Sequence, residues 1–268
     1  MPQYVITKKG GIRFLALAIT LCLTISNATV HSETQQQIIE KRKAQLAAET
    51  IHILGGIRSR VPRWNDTVRM AIIGGTASID NAIVRSLTNE LSLYSGINIE
   101  ILQHNIADAK LYLYEISNSA RYAPSICDRH NQRKCANFVV IISSQSDMNR
   151  IARAYPMRPI YQKATNSKEQ VHCFFSPGIA PNFEIKRGIV FVNNNLDDQM
   201  RQTCLQEEIY QSFGLFNDYT NSTYYSFNNM VEVKKITRFD KMLLSSLYDR
   251  AHPPGTLART IAMQMTEY

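Results

Sequence analysis

Five polar side chains gather in one short stretch, CLQEEIYQSFGLFND: Glu207, Glu208, Gln211, Asn217 and Asp218. Carboxylates can move protons or hold cations, whereas amides offer a cation only neutral oxygens. Glu208 is the candidate general base. Glu207 is its neighbour, but adjacent residues on a helix point about 100° apart, so the two do not naturally share a proton. Asp218 and Asp240 can converge with Glu208 only through the fold, which spacing does not reveal.

The element that must carry this chemistry is a helix predicted from Asp197 to Phe213, with Leu205, Ile209 and Phe213 on one apolar face. A second helix is predicted over ITRFDKMLLSSLYDRA (236–251), with Asp240 near its start. Ahead of them the pattern alternates between strands and helices. VRMAIIGG (68–75), INIEILQ (97–103), AKLYLYEI (109–116), NFVVIIS (137–143), VHCFFSP (171–177) and KRGIVFVNN (186–194) read as strands. ASIDNAIVRSLTNELSLYSG reads as a helix whose stripe is Ile79, Ile83, Leu87 and Leu91, with Gly96 placed to end it. A short helix is expected over SQSDMNRIARAY (144–155). ETQQQIIEKRKAQLAAETIHIL reads as an N-terminal amphipathic helix, with Ile38, Ile39, Leu46 and Ile51 as its apolar positions, and GGIRSRVPRWNDT as a linker. No internal repeat, serine elbow, phosphate loop or dinucleotide fingerprint is present; IIGGTAS has paired glycines but lacks G-x-G-x-x-G.

The first 28 residues have a different character. Lys8, Lys9 and Arg13 precede the apolar run FLALAITLCLTI, and Ser26 and Ala28 follow at cleavage spacing, the pattern of a secretory signal peptide. The run is short for a membrane span, which needs about 20 apolar residues. Removing it lowers the net charge from +8 to +5 by taking away those three cations. The domain is thus mildly basic. Lys41-Arg42-Lys43 and Arg58, Arg60 and Arg63 form clusters that read as a solvated helix face and loop; a binder of anionic polymers is the weaker alternative. Nucleic acid is not an expected partner, since no base-stacking aromatic stripe accompanies them. The expected organisation is a signal peptide over 1–28, a helix and linker over 29–62, and one domain over 63–268.

Four cysteines follow the signal segment: Cys127, Cys135, Cys173 and Cys204. An even number in an exported chain reads as two disulfides. Cys127 and Cys135 bracket the polar loop DRHNQRK, so the expected pairing is Cys127–Cys135 and Cys173–Cys204. A metal site from Cys127, His130 and Cys135 lacks the close Cys-x-x-Cys pair of structural zinc sites.

Glu207 to Asn217 resembles the metzincin pattern H-E-x-x-H-x-x-G-x-x-H, with Glu208 in the place of the catalytic glutamate and Gly214 in that of the glycine. The three ligand places hold Glu207, Gln211 and Asn217, none of them histidine. YYSFNNM stands where related proteases have a methionine turn, with Phe227 for that methionine and Met230 nearby, and ITRFDKMLLSSLYD is similar to their closing helix. The chain also resembles domain of unknown function 2927, a family of exported bacterial proteins, through the Cys before the Glu-rich helix, GLFND, SFNN and LYDRAHPPG. This likeness is specific from about residue 200 to 256 and looser from Arg63. It departs at Asp249-Arg250-Ala251 and Gly255-Thr256.

These resemblances imply an α+β fold: a zincin-like mixed sheet with an active-site-type helix and a C-terminal helix. They also imply a location in the periplasm or cell envelope, with membrane contact only through an uncleaved signal segment. Catalytic zinc takes three strong ligands and an open position. Gln211 and Asn217 supply amide oxygens that suit harder cations, so no metal and no cofactor is expected, and Glu208 then has no metal-activated water to deprotonate. The lone histidines His104, His172 and His252 have no ligand spacing that would restore a site. The expected function is a non-catalytic binding or structural module that takes an extended peptide or an envelope protein in a cleft between KRGIVFVNN and the Glu208 helix. The alternative is a peptidase-like hydrolase with Glu208 as base and a non-standard metal site.

Overall fold

The computed structural model describes residues 34–74, 78–103, 126–128, 130–131, 134–147, 172–219, 222–226 and 236–267. The signal segment, the strand expected at 109–116, His104, Phe227 and Met230 lie outside the described residues, as does most of the helix expected at 144–155. The elements in chain order are α1 (Gln35–Ile53), β1 (Arg63–Trp64), β2 (Val68–Gly74), α2 (Ser78–Ser95), β3 (Ile99–Ile101), β4 (Phe138–Ser143), β5 (Cys173–Ile179), β6 (Glu184–Asn193), α3 (Asp198–Gln211), α4 (Arg238–Leu247) and α5 (Ala258–Met265). The mixture of helices with one sheet agrees with the expected α+β class.

By contacts the chain divides into two units, residues 1–43 and 44–268. In the first, Thr34 and Gln37 form a reciprocal capping box at the start of α1, at 2.8 and 3.2 Å. In the second, the later part of α1 buries Leu46, Glu49, Thr50 and Ile53, which follow one helical stripe.

The sheet runs β3–β2–β4–β6–β5. The first four strands are mutually parallel, and β5 is antiparallel to β6. β1 pairs with Glu184 and Ile185, so it lies on the β4 side of β6, ahead of β4 itself. Phe138 to Ser143 are all buried, which explains why FVVIIS is a continuous apolar run with no alternation. On one face Val68, Met70, Phe138, Val140, Val190 and Val192 join the core with Leu87 and Leu91 of α2 and Leu205, Ile209 and Phe213 of α3. Gly96, at φ +69°, ends α2 as its position suggested.

Three features differ from the sequence reading. KRGIVFVNN is not a cleft-lining edge: β6 is interior, and β5 lies outside it. GGIRSRVPRWNDT was read as linker, yet Arg63–Trp64 within it is a short strand whose indole is fully buried and donates to Ser212 O at 3.0 Å. A further helix, α5, follows the one expected to be last.

The edge position of β5 has a sequence cause. Asn193 N donates to His172 O at 2.9 Å, and antiparallel pairing alternates from there. Residues 172, 174 and 176 therefore face β6 with their backbone groups, whereas Cys173, Phe175 and Pro177 turn theirs outward. Pro177 has no N–H to lose, so it fits only on that outer side. Among the described residues no strand pairs with this edge.

Candidate functional site

Helix α3 is fixed at both ends. Asp197 caps it, accepting from Met200 N at 2.8 Å. Arg201, in its first turns, is buried and donates to Asp80 of α2 at 3.1 Å. Cys204 is bonded to Cys173 of β5, and Cys127 to Cys135, the pairing expected from the sequence. Cys204, Glu207, Glu208 and Gln211 stand at i, i+3, i+4 and i+7, so the disulfide and the acidic side chains share one side of the helix.

Gly214 then turns the chain. It has φ +105°, and a Cβ there would lie 2.4 Å from Pro62 O, so only glycine fits. Gly214→Ala is expected to lower stability by about 1–3 kcal/mol, read as a shift in the denaturation midpoint. The turn brings Phe216 against Phe175 of β5, ring centroids 5.8 Å apart, and returns Asp218 to the helix. Gln211 Nε2 donates to Asp218 Oδ1, and the Glu207 carboxyl shares a hydrogen bond with the Asp218 carboxyl.

The structure thus brings Glu207, Glu208, Gln211 and Asp218 together. The adjacent glutamates do not pair with each other; the partner of Glu207 comes from across the Gly214 turn. Asn217 goes elsewhere. Its Nδ2 donates to His52 O at 3.1 Å and its backbone N to Ile53 O at 3.3 Å, satisfying carbonyls at the end of α1. His52 Nε2 lies 3.0 Å from Asp218 O. Asp240 also has a separate task. It forms a capping box with Thr237 and accepts from Ser226 Oγ at 2.6 Å. A small cavity lined by Tyr210, Gln211, Leu215, Tyr225, Asp240 and Leu243 lies between it and the turn.

Crowding sets the charge state. Burial, then the Asp218 charge and hydrogen bond, push the Glu207 carboxyl up to about 8. Glu208 is 8 % exposed, and burial, then Glu207 and Asp218, raise it well above the ordinary 4.5. Burial likewise raises Asp240 against its hydrogen bonds. A carboxyl raised in the folded state binds protons that the unfolded chain has released, so stability falls as pH rises from 4.5 to about 8 for Glu207. Denaturation midpoints are expected to decline across that window, and Glu207→Gln to flatten the decline.

Zinc, which the metzincin resemblance implies, does not fit these donors. The Asn217 amide is turned to His52 O and the Gln211 amide to Asp218, while burial beside Asp218 pushes the Glu207 carboxyl up to about 8 and so disfavours the ionised form a metal takes. Among the described residues no three His, Cys, Asp or Glu side chains are arranged to hold a metal ion. His252 is buried, with Nδ1 2.7 Å from Ser246 O. Two arginines of the basic clusters are also engaged: Arg60 donates to Gly255 O at 3.1 Å, and Arg63 to Leu247 O and Asp249 O at 2.8 and 3.0 Å.

Sequence reasoning missed His52, Phe175 and Phe216, and the outer edge of β5. Pro177 was the one local signal for that edge.

A family model described as a protein of unknown function (DUF2927) matches residues 31–267. The chain belongs to that family. No curated protein and no solved structure matches it. For this DUF2927 chain, function is therefore argued from the site itself.

Proposed function

We propose that this DUF2927 chain is an exported component of the bacterial envelope that binds extended peptide by strand addition, on a zincin-like frame without metalloprotease chemistry. The observation that carries the reading is the outer edge of β5, where the backbone groups of Cys173 and Phe175 and the carbonyl of Pro177 face away from β6, beside the carboxyl cluster. The order of mixed sheet, Glu-bearing helix and closing helices supports the zincin-like frame. Two disulfides support an oxidising compartment, and among the described residues no helix is long and apolar enough to cross a membrane.

The hydrolytic alternative requires an ionised Glu208 as base, and burial favours the neutral acid there. Panning the oxidised protein against a randomised heptapeptide phage library tests the binding reading. Selected peptides are expected to protect the Cys173 and Phe175 amides from hydrogen exchange. An absence of binders, or protection confined to another surface, would overturn it.

A further inference from the structure

The basic clusters sort differently in the fold than along the chain. Arg63 is buried against Leu247 O and Asp249 O, whereas Arg58 and Arg60 stay exposed and gain a third cation from the C-terminal helix. Arg60 pairs antiparallel with Leu257, and Val61 N to Thr256 O and Ala258 N to Ser59 O, each 2.9 Å, hold the pairing. In that register residue 58 falls level with residue 259, and Arg259 is exposed in the first turn of α5. Like charges set opposite each other are destabilising unless something offsets them. Among the described residues neither Arg58 nor Arg259 has an ion pair or a side-chain hydrogen bond. The partners of Arg60 are neutral: Gly255 O at 3.1 Å and the Phe183 ring, 5.8 Å from guanidinium carbon to centroid. Glu184, next to Phe183, is taken by Lys186 at 2.5 Å.

Two exposed apolar side chains border these cations. Ile57, in the turn closed by Ser59 N to Gly56 O at 2.9 Å, is 57 % exposed. Met263, one turn after Arg259 on α5, is 67 % exposed and shares the outer side of that helix with it. The inner side of α5 is core, since Ala258, Ile261, Ala262 and Met265 are buried. A single exposed apolar residue is ordinary; two beside unpaired arginines define a partner. A soluble polyanion would neutralise the arginines and leave Ile57 and Met263 in water. An anionic lipid surface takes both, with phosphates against the guanidinium groups and the apolar side chains entering the headgroup and acyl boundary.

We propose that Arg58, Arg60 and Arg259, with Ile57 and Met263, form a docking face for an anionic phospholipid surface. This is a second interaction surface, independent of peptide binding at β5, and a membrane contact beyond the signal segment. Three cations and two apolar side chains give weak, reversible attachment, since each basic residue near an anionic bilayer strengthens binding only about 5-fold.

Ile57→Trp in the full oxidised chain supplies the probe. The only native tryptophan, Trp64, is fully buried, so an indole at position 57 reports its own surroundings. At low salt, vesicles of phosphatidylcholine with about 40 % phosphatidylglycerol are expected to shift its emission to shorter wavelength, and brominated acyl chains to quench it. Vesicles of phosphatidylcholine alone are expected to leave the emission unchanged. With Arg58→Gln/Arg259→Gln added, the lipid needed for half the shift is expected to rise about 25-fold, about 5-fold for each arginine. Both arginines are exposed, so these substitutions spare the core. Because the probe is local, attachment through the signal segment does not imitate the result. No shift with anionic vesicles, an equal shift with neutral ones, or an undiminished shift in the arginine variant would overturn the proposal. Binding of inorganic polyphosphate with no response to vesicles would overturn it too, in favour of a soluble polyanion.

Discussion

Asp80→Asn is expected to destabilise the chain by about 3–5 kcal/mol, the cost of breaking a buried ion pair from one side. The Arg201 and Asp80 side chains are 7 % and 2 % exposed, and Nε meets Oδ1 at 3.1 Å. Asp198, the other acidic partner of Arg201 at 2.6 Å, is 74 % exposed and does not replace a buried counter-charge. The pair joins the first turn of α2 to the first turns of α3, so its loss loosens the helix that carries Glu207 and Glu208. Replacing both partners, as in Asp80→Leu/Arg201→Met, is expected to cost less than Asp80→Asn alone, because no charge is left buried. Urea denaturation of Asp80→Asn and of the double variant checks this. Equal or greater loss in the double would show that packing, not charge, accounts for the effect.

Removing the Cys173–Cys204 disulfide with paired alanines is expected to cost about 3–4 kcal/mol, from the freedom regained by an unfolded chain cross-linked at a separation of 31 residues. The consequence for binding is separate. β5 is an edge strand tied to α3 by this bond and to the segment after the Gly214 turn by the Phe175–Phe216 contact. Without the bond the edge should fray, so protection of the β5 amides in the free protein should fall first. Cys127→Ala/Cys135→Ala removes a bond that spans a separation of only 8 residues and serves as the comparison, with a smaller expected loss and no change at β5.

The elements that were legible in the sequence are those whose pattern is local. The α2 stripe at Ile83, Leu87 and Leu91, the glycine that ends it, and the β-branched runs of β4 and β6 depend only on burial along one segment. The cysteine pairing was legible because DRHNQRK is too polar to belong to anything but a loop. What failed to show was lateral order. VHCFFSP and KRGIVFVNN are both apolar enough for an interior strand, and only Pro177 marks which of them forms the edge. Arg63–Trp64 was hidden in a proline-containing stretch because two residues carry no periodicity. In the site, Glu207 and Glu208 were visible as acids, but not the carboxyl that joins Glu207, since Asp218 returns only through the positive-φ turn at Gly214. Asn217 and Asp240 looked equivalent to the others by spacing. Their side chains are taken by the end of α1 and by the Thr237 cap, contacts set by tertiary packing.

The measurement closest to the central claim is a calorimetric titration of zinc into the oxidised, chelator-free protein, with peptide cleavage followed in the same samples. We predict no stoichiometric zinc binding, no gain in melting temperature and no chelator-sensitive cleavage, because the amides of Gln211 and Asn217 and the Glu207 carboxyl are committed within the fold. One zinc per chain that is lost in Glu207→Ala, together with cleavage abolished by Glu208→Gln, would contradict the account and establish a metallopeptidase.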